Sequence, residues 1–141
     1  MSSEARSARD LTRSLTARAV GYDVAAESDA LAVLAACERA FVELSRSLGA
    51  PGFVTLLRRA KVTTERMHPL LGDMHLAVRE PYLGGVPELV HRHGGLAVII
   101  GLEAILDTMF SVLGGLIGLD MVSRLIERDL PVDSTLVEDT K

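Results

Sequence analysis

Between residues 95 and 128 apolar side chains recur so densely that they cover most of a helical circumference: positions 96, 98–100, 102, 105, 106, 109, 110, 112, 113, 116, 117, 119, 121, 122, 125 and 126. A surface helix shows one apolar stripe, whereas a helix apolar nearly all round is enclosed by other elements. The pattern predicts one long central helix over 95–128. Three weaker segments upstream also repeat at spacings of three and four. Ala8, Leu11, Leu15 and Ala19 mark a helix over 5–20 whose other face carries Arg6, Arg9, Arg13 and Arg18. "GYD" at 21–23 breaks it. Leu31, Leu34, Ala35, Cys37, Phe41, Leu44 and Leu48 mark a second helix over about 29–48, with Glu38 as a polar intruder. Ser28 is a candidate N-cap there, and Gly49 stands past the end. Phe53, Leu56, Leu57, Ala60 and Met67 are the predicted inward face of a third helix over about 51–67, beside a basic stripe of Arg58, Arg59, Lys61 and Arg66. Pro51 suits its first turn, and Pro69 stops it.

Residues 69–95 break the pattern with interspersed prolines, glycines and charges, and predict a long irregular connection. Within it "MHLAVRE" alternates like a short strand, and "VPELVHRH" suits a helical turn or two. "VDSTLVEDTK" at the end is a polar tail. The chain therefore divides into a basic N-terminal helix or arm (1–22), a helical bundle (23–130) and a tail (131–141). The expected fold class is all-α: a small bundle of three to four main helices around the long apolar C-terminal helix.

Composition agrees. The chain has 141 residues, enough for one domain that buries about 70% of its unfolded surface without a metal or disulfide staple. Alanine and leucine abound and aromatics are 4%, which favours helix over sheet. The net charge is −4 but uneven: residues 1–66 hold ten basic and eight acidic residues, residues 67–141 five and eleven. The chain as a whole is not basic, so nucleic acid is a poor partner. One cysteine, Cys37, excludes an internal disulfide framework and suits a reducing cytoplasm. The charged N-terminus lacks the apolar core of a secretory signal.

The apolar stretch from Asp107 to Arg128 raises the question of a membrane span. Its longest uncharged run, 108–119, has twelve residues, short of the roughly 20 that a span requires. Glu103 and Asp107 lie on the same helix, and each acid at membrane depth costs about 2.5–3.5 kcal/mol. A buried core helix fits better. Ser111, Gly114, Gly115 and Gly118 then align with these acids in a stripe of small groups. An interior glycine costs about 1 kcal/mol relative to alanine, so close approach of another helix, within the subunit or across a dimer axis, is expected there.

Glu103 and Asp107 need partners, and Arg58, Arg59 and Arg66 are the expected supply. A sharper constellation is the repeated Glu-x-x-His, Glu65–His68 and Glu88–His91. Two such pairs on facing helices, completed by carboxylates such as Glu103 or Asp107 and Glu38 or Glu43, would build a di-metal carboxylate centre. The first pair sits against Pro69 and the second between Pro87 and a Gly-Gly pair, unlike the mid-helix placement such sites use. No metal or other cofactor is therefore expected, and Glu65, His68, Glu88, His91, Glu103 and Asp107 stand only as candidates. The surrounding His68, His75, His91 and His93 lack zinc-site spacing. Cys37 has no basic neighbour in sequence and reads as a small core hydrophobe.

Phosphate-loop, dinucleotide-binding and serine-elbow motifs are missing, so nothing recommends an enzyme. "SLGAPGFVTLLRRA" (47–60), "HPLL" (68–71) and "LIGLDMVSRLIERDLP" (116–131) resemble a group of small, uncharacterised all-helical bacterial proteins. That group shares a Leu-Gly-x-x-Gly-Phe lead-in to a helix rich in Leu, Ala and Arg, then His-Pro. It closes with an apolar helix reading Ile-Gly-x-x-Leu-x-x-Arg-Leu before an aromatic and proline. Here Met121 replaces the leucine and Leu130 the aromatic. The resemblance implies a stand-alone helical fold in a bacterial cytoplasm and carries no activity. The expected function is a non-catalytic interaction or regulatory module, homodimeric, meeting another bacterial protein through Arg6, Arg9, Arg13, Arg58 and Arg59 or through the glycine stripe. The alternatives are a small-molecule or metal sensor between the central helix and 69–95, and a di-metal enzyme.

Overall fold

A computed structural model describes residues 7–17 and 27–127 of the chain, and the fold is all-α. Helix α1 spans Ala8–Ala17, α2 Glu27–Leu48, α3 Ala50–Glu65, α4 Val86–His93, α5 Gly95–Ile117 and α6 Leu119–Glu127. A 3-10 turn, Pro69–Asp73, and a two-residue hairpin, β1 (His75–Leu76) and β2 (Leu83–Gly84), link α3 to α4. The strands are antiparallel, His75 opposite Gly84 and Leu76 opposite Leu83. The predicted break at 21–23 and the tail at 131–141 lie outside the described residues.

Helix α5 is the hub, packed by α1, α2, α3, α4 and α6. Val98, Ile99, Leu102, Ile105, Leu106, Met109, Phe110 and Leu113 are its buried residues among the large apolar ones. By length and composition α5 could cross a membrane, but half of its most apolar window is buried within the bundle. Helix α1 begins with a reciprocal cap: the Ser7 Oγ accepts from the Asp10 N–H and Asp10 Oδ2 accepts from the Ser7 N–H, each at 3.1 Å. This capping box starts the helix at Ala8, later than the apolar spacing alone predicts. Leu11 and Leu15 then anchor α1 in the core.

Several expectations need correction. The buried apolar residues of α2 are Ala30, Val33, Ala36, Cys37, Ala40, Phe41 and Leu44, while Leu31, Ala35 and Leu48 are exposed. Three of these are small alanines, which a reading weighted to leucine passes over. Met67 is 78% exposed because α3 ends at Glu65, before it. The predicted single helix over 95–128 is two helices. Gly118 sits between them at φ 90, a backbone conformation that glycine adopts without the Cβ penalty. Gly49 and Gly94 make the same one-residue joints, α2 to α3 and α4 to α5. Apolar periodicity runs straight through Gly118, so it hides the break.

The only aromatic cluster among the described residues ties the irregular segment down. Tyr82 of the hairpin lies 4.9 Å from Phe53 and 6.2 Å from Phe41, ring centre to ring centre, and the two Phe rings are 5.5 Å apart. Beside it the Glu38 carboxylate accepts the Tyr82 and Leu83 N–H groups, both at 2.9 Å. The polar intruder of α2 is thus the clasp that holds the hairpin, satisfying two backbone donors with one side chain. Burial outweighs these bonds and holds the Glu38 pKa above its ordinary 4.5.

Candidate interaction face

The predicted small-residue stripe ends at the corner where α5 meets α6. Gly114 is the part that packs within the subunit: a Cβ there would lie 2.7 Å from Leu119 Cδ2, so the missing side chain lets the first residue of α6 fold back on α5. Gly115 and Gly118 differ. A Cβ at either would meet no atom within 4 Å, and Ser111 is exposed. Close packing inside the subunit therefore accounts for Gly114 alone; Gly118 serves as the helix joint, and Gly115 is open. The close approach that composition could have signalled lies elsewhere, at Gly101, where a Cβ would sit 2.9 Å from Leu71 Cδ2. Gly101 carries the same helix-interior cost as the stripe.

Large apolar side chains crowd the same corner. Leu116 is 74% exposed, and Val112, Ile117 and Met121 are each more than two-fifths exposed. A hollow of about 220 Å³ opens next to Leu116, lined also by Leu48, Gly52, Leu56 and Leu113. No charged residue lines it. A protruding leucine beside an apolar hollow on one surface is self-complementary in the sense a two-fold interface requires. Single exposed apolar residues are ordinary, whereas a cluster around a hollow marks an interaction surface.

The acids of α5 are met from a direction the sequence did not suggest. Arg9 Nη1 of α1 reaches Asp107 Oδ2 at 2.9 Å, and the Thr16 hydroxyl donates to Glu103 Oε2 at 2.9 Å. Arg58 and Arg59 on α3, and Arg66 just past its end, are exposed and do not pair with them. So α1 is docked on α5, and Arg9, read as partner-facing, has an internal ion pair; Arg13 is exposed, and Arg6 lies outside the described residues. Asp107 Oδ1 is buried with no hydrogen-bond partner. Asp107 also lines a cleft of about 250 Å³ with Thr63, Met67, His68, Ala104 and Thr108.

The two Glu-x-x-His pairs do not assemble. Helix α3 stops at Glu65, which pairs with Lys61, and His68 lies beyond it as the residue capping the 3-10 turn. Glu88 and His91 are exposed, one turn apart on α4. Glu38 is committed to the hairpin and Glu43 to Arg46 at 2.9 Å. Among the described residues no three His, Cys, Asp or Glu side chains come together to hold a metal ion, and the candidate carboxylate centre is withdrawn. Cys37 is fully buried beside Glu38, and desolvation pushes its thiol far above the usual range, which leaves it inert as a nucleophile.

No protein-family model, curated protein or solved structure matches this chain.

Proposed function

We propose that this chain is a non-catalytic helical interaction module of a bacterial cytoplasm, and that it works as a homodimer joined at the α5–α6 corner. The observation that carries the reading is the uncharged hollow with Leu116 standing at its edge, beside the open glycine Gly115. A two-fold axis through this corner sets each Leu116 against the partner's hollow, and Gly115 allows the helix backbones to approach. The exposed Arg58 and Arg59 on α3 and Arg13 on α1 remain available to a second, acidic protein.

The test uses Gly115→Leu. Gly115 is helical, with empty space around it, so the variant keeps the monomer fold while placing a bulky group on the corner. Light scattering should report a monomer for the variant and a dimer for the wild type. A variant that dimerises as well as the wild type removes this corner from the interface. A second reading, a small-molecule sensor, draws support from the cleft lined by Asp107, whose Oδ1 has no hydrogen-bond partner; this cleft lies between residues 63–68 and α5, not between α5 and 69–95 as expected. It requires a thermal shift with small ammonium ligands that disappears in Asp107→Asn; absence of any shift ends it.

A further inference from the structure

Another cavity has no residue of α5 or α6 in its lining. It occupies about 630 Å³ between the N-terminal half of α3 and the hairpin loop, within the range of small-molecule sites. Pro51, Val54, Thr55 and Val78 give it a largely apolar wall, and Arg58 and Arg79 line it as well. Neither arginine forms an ion pair with any described residue, and no acid lines the cavity. Arg9, Arg46 and Arg92 each have a carboxylate within about 3 Å, whereas Arg58 and Arg79 bring two guanidinium groups without such a partner to one cavity.

The local backbone adds to the same sign of potential. Ala50 and Pro51 form the first turn of α3, and Gly49 before them provides no side-chain cap. The unsatisfied N–H groups and the helix dipole therefore leave positive partial charge at that end of the cavity. Arginine offers planar, bidentate donors suited to carboxylate and phosphate oxygens. Val78, 64% exposed on the hairpin, leaves its apolar surface free for a ligand body to cover.

We propose that this cavity binds a small amphiphilic anion, a carboxylate or phosphate head group on an apolar body. The head group is held by Arg58 and Arg79, and the body lies over Val54 and Val78. The proposal is independent of the dimer, since none of these residues belongs to the α5–α6 corner.

Isothermal titration of the full chain with octanoate, octyl phosphate and octylammonium tests it. Both anions should bind and octylammonium should not; the tighter of the two anions identifies the head group. Arg58→Gln with Arg79→Gln should weaken the anions by roughly tenfold or more. Val78→Asp, which puts a carboxylate on the exposed wall, should do the same. All three positions are surface ones, and circular dichroism checks that helicity is kept. No anion binding below about 1 mM, equal binding of octylammonium, or unchanged anion affinity in the double variant overturns the proposal.

Discussion

Leu116→Ala separates the energy of the proposed interface from that of the fold. In the single chain the Leu116 side chain is 74% exposed, so truncating it removes little that folding buries. Burying a whole leucine side chain is worth about 1.5–3 kcal/mol. Covering the exposed three-quarters in a dimer yields about 1–2 kcal/mol per copy. A two-fold interface counts it twice, giving about 2–4 kcal/mol per dimer, or about 30- to 1,000-fold in Kd. Sedimentation equilibrium across a dilution series measures that Kd, and urea unfolding under monomeric conditions measures the fold. The expected result is a large loss of association with unfolding stability within about 0.5 kcal/mol of wild type, the range of ordinary surface changes. Unchanged association would refute the placement of Leu116 in the interface. A large loss of monomer stability would refute the claim that its side chain is free.

Three further predictions follow from the geometry. Gly115→Ala should stabilise the monomer by about 0.5–1 kcal/mol, because the site is helical and open, whereas Gly118→Ala should destabilise it by more than that, because φ is 90; chemical denaturation decides both signs. Glu38 titrates higher in the fold than in the unfolded chain, so its contribution is full below the ordinary 4.5 and is lost as pH rises through the folded value. The stability advantage of wild type over Glu38→Gln should therefore shrink as pH rises from 4.5, and a gap that widens would contradict the burial argument. Cys37 should resist a disulfide reagent in the native protein and react on unfolding in urea, and rapid native labelling would show that the thiol is not enclosed.

The helices were legible in the sequence because apolar spacing, Pro51 and Pro69 are local signals, and local signals are what short-range physics writes into a chain. The central place of residues 95–117 was legible for the same reason, but the expected enclosure on nearly all sides was not met: half of the most apolar window of α5 is buried, and Val112, Leu116 and Ile117 stay exposed. The break at Gly118 was not, since a one-residue joint leaves the periodicity intact on both sides. Partner choice was not legible either. Glu103 and Asp107 demanded donors, and Arg58, Arg59 and Arg66 were the expected supply, but the tertiary fold brings Arg9 and Thr16 of α1 within 2.9 Å instead. Glu38 looked like an intruder because its function, bridging two backbone amides 44 and 45 residues away, leaves no trace in local spacing. The glycine stripe divided into three roles, a packed contact at Gly114, a joint at Gly118 and an open position at Gly115, which identical residues in one helical register cannot announce.

The central claim is that the α5–α6 corner joins two copies of this chain. Sedimentation equilibrium of the wild-type protein tests it most directly. The account predicts a mass twice the 15.1 kDa of the chain at high concentration, falling toward the single-chain mass on dilution. A mass of 15.1 kDa at every concentration would contradict it.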